Sequence, residues 1–157
     1  MAVSAIDSAR EVPLITRAEI VSEARSWIGT PYHHQASRKG VATDCLGLIR
    51  GLYRTLYGAE PVNLPAYSPD WGEASGEETL LDVARQTLLS SDVRHVGPGS
   101  VIVFRMRRGA VAKHAGIATS RTAFVHAAER VGTVEVPISA WWRRRIAGVF
   151  TFPGQED

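Results

Sequence analysis

Between residues 16 and 89 apolar side chains recur at offsets of three and four, and from Val96 onward the texture changes to short β-rich runs separated by Gly, Ser or Arg. The first pattern predicts helices and the second predicts strands. "TRAEIVSEARSWIG" reads as a helix. Thr16 and Glu19 have capping-box spacing, Ile20, Ala24, Trp27 and Ile28 fall on one face, and Gly29 is a natural stop. "TPYHHQASRKGVA" follows as a loop. The next helix starts with Thr43 or Asp44 as cap, runs to about Tyr57 and ends at Gly58, with Cys45, Leu48, Ile49, Leu52 and Leu56 in one stripe. Gly47 and Gly51 are poor helix formers, so their presence predicts a close neighbour, a sheet or another backbone. "EPVNLPAYSPDWGEASG" reads as loop and "EETLLDVARQTLL" as a third helix with Leu80, Leu81, Ala84, Leu88 and Leu89 inward. "SVIVFRM", "KHAGIAT", "TAFVHA", "GTVEVP" and "AGVFTFP" read as strands, with "ISAWWR" as a helical turn. Helices first and strands after predict an α+β fold with an antiparallel sheet. Residues 1–15 show no period and read as an arm, leaving 16–157 as one domain.

Composition changes this picture little. The chain has 157 residues, 45% of them hydrophobic and 22% charged, an ordinary mix for one core. No run reaches the length of a membrane span. The start has no continuous apolar stretch behind a basic end, so it does not read as a secretory signal, and synthesis in the cytoplasm is expected. A net charge of +2 is too small to imply nucleic acid. The positive charge is nevertheless clumped in "FRMRRG" and "WWRRR", which read either as a solvated face or as a patch for a polyanion or an acidic partner. Trp141 and Trp142 beside the second run are the best candidates for a docking surface.

The candidate chemistry centres on Cys45, the single cysteine. It has no internal disulfide partner and belongs to no multi-cysteine zinc site. Most such cysteines are core filler. This one sits in the first turn of a helix, where unpaired N–H groups and the dipole favour thiolate and could hold an oxyanion. Of five histidines, His114 and His126 stand out, in consecutive strands. A turn centred on Ser120 places residues summing to 240 opposite each other, and 114 + 126 = 240. The two imidazoles then share one face, with small neighbours at Ala115, Gly116, Ala127 and Ala128. A one-residue slip would separate them. A nucleophile at a helix start, a base on a facing strand and an orienting group on the next form a triad in the order Cys, His, His. A zinc site built from the same three residues is a rival reading.

These residues resemble the NlpC-type cell-wall peptidases, a papain-like cysteine family. The resemblance rests on "WIGTPY", "TDCLGL", "GPGSVIVF", "KHAGIAT" and "FVHAA" in that order over residues 27–128. The variant of the nucleophile motif is similar to the branch found with phage tails and gene transfer agents. The resemblance implies that Cys45 is the nucleophile, His114 the general base and acid, and His126 the residue orienting His114. It places Tyr32 near the oxyanion site and Asp44 and Leu46 at the substrate end of the cleft. Leu46 stands where the family usually has serine, and the basic segment between Tyr32 and Cys45 is long. The implied activity is hydrolysis of peptidoglycan stem peptides, typically between D-glutamate and a diamino acid, without cofactor or metal. The implied setting is a virion or tail, docked to tail or baseplate proteins and acting on the periplasmic cell wall. A non-catalytic tail module of the same fold and a cysteine amidase or acyltransferase are the alternatives.

Overall fold

A computed structural model describes residues 12–60, 67 and 75–156. The helices are α1 (Arg17–Ser26), α2 (Cys45–Tyr57), α3 (Thr79–Thr87) and the short α4 (Ala140–Arg143). Six strands form one sheet: β4 (Leu89–Ser91), β5 (Val101–Phe104), β6 (His114–Ala118), β7 (Ala123–Ala128), β8 (Gly132–Pro137) and β9 (Ile146–Thr151). Their order is β4-β9-β5-β6-β7-β8, and every adjacent pair is antiparallel. Two small ladders complete the strands of the described residues. β1 (Ile15–Thr16) runs parallel to β10 (Gln155–Glu156), and β2 (Ser37–Arg38) pairs with β3 (Ala42–Thr43). The fold is α+β, with the helices packed on the antiparallel sheet.

Helix boundaries follow local chemistry. The capping box at Thr16 and Glu19 forms in both directions. Asp44 caps α2 by accepting from the Gly47 N–H, and Gly58 closes it at φ +84°. In α2 the buried stripe of Cys45, Leu48, Ile49 and Leu52 faces β6 and β7, while Leu56 is half-buried at its end. The glycines of α2 accommodate a loop and a ring rather than the sheet. A Cβ on Gly47 would fall 1.9 Å from the Ala36 carbonyl oxygen, and one on Gly51 would fall 2.1 Å from the Trp27 ring.

Side chains alternate across the sheet with the period of two that a strand dictates. Val101, Val103, Ala115, Ile117, Val125 and Phe150 join the helices in the main core. Ile102, Phe104, Ala118, Phe124 and Val149 build a second cluster with Ile138 and Trp142.

Three local expectations are corrected. Ile28 is 45% exposed, because α1 ends at Ser26 and the chain has left the helical face. Leu89 is 56% exposed, because it opens β4 at the sheet edge instead of closing α3. Ile15 is buried in β1, so the last residue of the expected arm belongs to the fold. Residues 1–11 of that arm, and most of the loop after Glu60 including Trp71, lie outside the described residues.

Candidate active site

Cys45 is the first residue of α2 and is 5% exposed. Its place is fixed by Asp44, whose side chain is fully engaged. One oxygen accepts from the Gly47 N–H at 2.7 Å, and the other accepts from the Gln35 N–H at 2.7 Å and from the Tyr67 hydroxyl. Asp44 therefore ties the helix start to the preceding loop. Since Asp44 also takes the Gly47 N–H, and its carbonyl takes the Leu48 N–H, the backbone N–H groups of Cys45 and Leu46 are left facing the sulfur. The thiol reaches the start of β6, where the Lys113 carbonyl accepts from it at 3.8 Å.

The two histidines meet, although the expected register does not. Ile117 faces Val125 and Ala118 faces Phe124, so opposed residues sum to 242 rather than 240. A shift of two preserves the face, and the imidazoles reach each other diagonally: His114 Nε2 lies 2.8 Å from His126 Nδ1, with the rings nearly perpendicular. Close approach of β7 depends on Gly116, where a Cβ would lie 2.6 Å from the Phe124 ring and 2.8 Å from the Val125 carbonyl oxygen. The rings sit on the face of the second cluster, stacked or edge-on against Trp142 and adjoining Phe104 and Phe124. For His114 to act as a base, Nε2 carries the proton and donates to His126, leaving Nδ1 to receive one.

A cleft of about 450 Å³ holds Cys45, His114, His126, Tyr32 and Asp44 in its wall, together with His34, Met106, Lys113, Glu129, Trp141 and Trp142. Tyr32 is placed by a bridge to Thr43, the residue before Asp44. Leu46, expected at the substrate end, is instead 4% exposed in the main core, because one helical step turns it away from the cleft. Trp142, read as part of a docking surface, packs against the histidines. No local sequence signal places it there, since the contact arises only when the turn after β8 returns the chain to the sheet beside β5. Among the described residues, no three His, Cys, Asp or Glu side chains are arranged to hold a metal ion.

Burial decides the protonation states. It pushes the Cys45 thiol up to about 12, with the Asp44 carboxylate adding to the effect and the backbone groups of Ala115, Leu46 and Cys45 opposing it. The expected preference for thiolate at a helix start is outweighed. Burial also depresses His114 to about 3, with His126 adding its repulsion, and depresses His126 to about 4. Tyr32 is raised to about 12 by burial, then by Cys45, Asp44 and Glu129, so its phenol remains a donor. At all three groups burial favours the neutral form, thiol at Cys45 and imidazole at His114 and His126.

Neutral buried histidines make stability fall in acid. The unfolded chain takes up protons below about 6.5, whereas the folded chain resists until about 3–4. Stability is therefore complete above 6.5 and drains below it, by about 2 kcal/mol per imidazole between pH 7 and pH 5. Urea midpoints at these two pH values should show a smaller drop for His126→Gln than for the wild type. Equal drops would contradict the assigned states.

A sequence profile of the NlpC/P60 family matches residues 29–151. No characterised protein sequence gives a significant match. Among solved structures, an NlpC/P60 family protein from Bacillus cereus superposes with a TM-score of 0.62 at 15% identity, over 88% of this chain and 41% of its own. The NlpC/P60 domain of the peptidoglycan hydrolase SagA gives 0.58 at 21% identity, over 88% of this chain and all of that domain. A lipoprotein-like family member from Staphylococcus aureus gives 0.55 at 21% identity, over 84% and 39%. The chain thus spans about two fifths of the Bacillus and Staphylococcus proteins.

Proposed function

The chain belongs to the NlpC/P60 family, and from that premise we propose that it is a cysteine peptidase hydrolysing the peptide stems of bacterial peptidoglycan. The observation that carries the reading is the convergence of a helix-start thiol and a hydrogen-bonded histidine pair in one cleft. SagA, whose family domain shares the fold, is itself described as a peptidoglycan hydrolase.

The geometry supports this sequence of steps. The Cys45 S–H gives its proton to Nδ1 of His114 as the sulfur attacks the scissile carbonyl carbon. The N–H groups of Cys45 and Leu46 stabilise the oxyanion, with the Tyr32 phenol at the same wall. The C–N bond breaks as His114 returns the proton to the leaving amine, giving a thioester. Water then adds to the thioester and passes a proton to His114. The C–S bond breaks, and the sulfur recovers that proton. His126 steadies the transient imidazolium through its neutral Nδ1, a weaker partner than a carboxylate.

Delivery by a phage-like tail, with docking to baseplate proteins and action in the periplasm, completes the proposal. Its support is the resemblance of the nucleophile motif to that branch. Purified stem peptides incubated with the protein and followed by mass spectrometry test the reaction. New fragments whose masses sum to the parent plus one water are expected, and they name the bond. Fragments joined to an added amine would assign an acyltransferase. Unchanged peptides would overturn the reading and leave a binding module.

A further inference from the structure

Beside the catalytic cleft lies a second basin of about 410 Å³, lined by Arg105, Arg107, Arg108, Arg144 and Arg145. We propose that this basin is an anion subsite receiving the carboxylates of an acidic peptide whose scissile bond lies in the cleft. The proposal rests on the hydrolase reading and names the substrate chemistry that the site selects.

The arginines come from two segments brought together by the fold, the stretch after β5 and the turn between α4 and β9. The Arg105 N–H donates to the Arg145 carbonyl at 2.8 Å, which joins them. Two guanidiniums are held rigidly. Arg105 is paired with Glu78 and donates to the Ala110 carbonyl at 3.0 Å. Arg145 donates to the Met106 and Trp141 carbonyls and lies 3.6 Å above the Trp141 ring. Arg108 and Arg144 are exposed, and among the described residues neither guanidinium has a partner. No acidic side chain of the described residues lines the basin. Such a cluster of like charges is relieved by an anion, and planar guanidinium forks match carboxylates in pairs.

Continuity with the cleft identifies the anion as part of the substrate. Met106 and Trp141 line the cleft, and both hold Arg145, so one wall separates catalysis from the basin. A second basic cavity, at Arg17, Arg94, His95 and Arg121, lacks these features. Arg94 is already neutralised by Asp92, and Arg17 donates to the Pro98 carbonyl.

The test measures binding by calorimetry to the Cys45→Ala protein, so that it does not depend on turnover. The probes are a stem tetrapeptide with free carboxylates and its twin with every carboxylate converted to carboxamide. At low ionic strength the acid form should bind about 10-fold more tightly, a gap that narrows in high salt. Combining Arg108→Gln with Arg144→Gln should close it. These side chains are exposed, so the fold is expected to survive. Equal affinity for the two probes, no binding of the acid form, or a gap that persists in the double variant would each overturn the subsite. So would tighter seating of a single-stranded oligonucleotide than of the acid peptide, since the basin would then serve a different polyanion. Wild-type turnover of the acid probe is measured in parallel. Arginine-dependent binding without turnover would sustain the subsite and reject the hydrolase reading, and turnover without the gap would do the reverse.

Discussion

Cys45→Ala is expected to lose about 10^4-fold or more of stem-peptide hydrolysis while keeping the fold. The magnitude follows from the role proposed for it. A triad acts as one unit, so removing its nucleophile removes covalent catalysis entirely and leaves only binding and the oxyanion site. The fold should persist because the helix start depends on Asp44, whose contacts with Gly47, Gln35 and Tyr67 involve no atom of the cysteine side chain. The substitution deletes one buried atom and should cost about 1 kcal/mol. Initial rates on stem peptides, read beside a thermal melt, check both halves. A variant that retains a tenth of the wild-type rate would reduce Cys45 to core filler. A variant that fails to melt cooperatively would leave the rate uninterpretable, and Cys45→Ser, of nearly the same size, then serves as the inactive but folded control.

Gly47→Ala should be the most damaging change of a single methyl group in α2. Helix propensity alone would favour alanine by about 1 kcal/mol. Steric overlap reverses the sign. The new Cβ would lie 1.9 Å from the Ala36 carbonyl oxygen and 2.7 Å from the Thr43 hydroxyl, and no rotamer change moves a backbone oxygen. Relief requires displacing the loop. That loop carries the acceptor for the Asp44 N–H at 3.1 Å and the Ser37 hydroxyl that donates to the Gly47 carbonyl at 2.5 Å. A loss of about 3 kcal/mol is expected, along with reduced turnover because the same contacts seat Cys45. Urea denaturation measures it. Gly58→Ala is the internal comparison: no atom lies within 4 Å of its Cβ position, so only its φ of +84° is strained and about 1 kcal/mol is expected. Equal losses at the two positions would show that the Gly47 contact is not tight.

The parts of the fold legible in the sequence are those set by local chemistry. Thr16 with Glu19, Asp44 before Cys45, and Gly58 after Tyr57 each announced a helix end through groups within four residues of it. The five long strands of the sheet were visible as apolar β-rich runs. Edge β4 was not, because its outward Leu89 continues a helical stripe and only pairing with β9 makes it a strand. β1 and β10 pair across the whole chain, and β2 and β3 are two residues each, too short to carry a period.

At the site, the histidine pair survived an error in register because face depends only on parity. The protonation states were not legible, since burial rather than helix position governs them. Nor was the part played by Trp142, which only the return of the chain after β8 brings over the imidazoles.

The parallel pairing of β1 with β10 sets Ile15 beside Gln155 and Thr16 beside Glu156. Because the strands run parallel, the chain enters this ladder at its Ile15 end and leaves it at its Glu156 end. The first and last described strands therefore hold each other: Ile15 donates its N–H to the Gly154 carbonyl at 3.0 Å, so fraying of either strand unpairs the other and loosens the cover over buried Ile15.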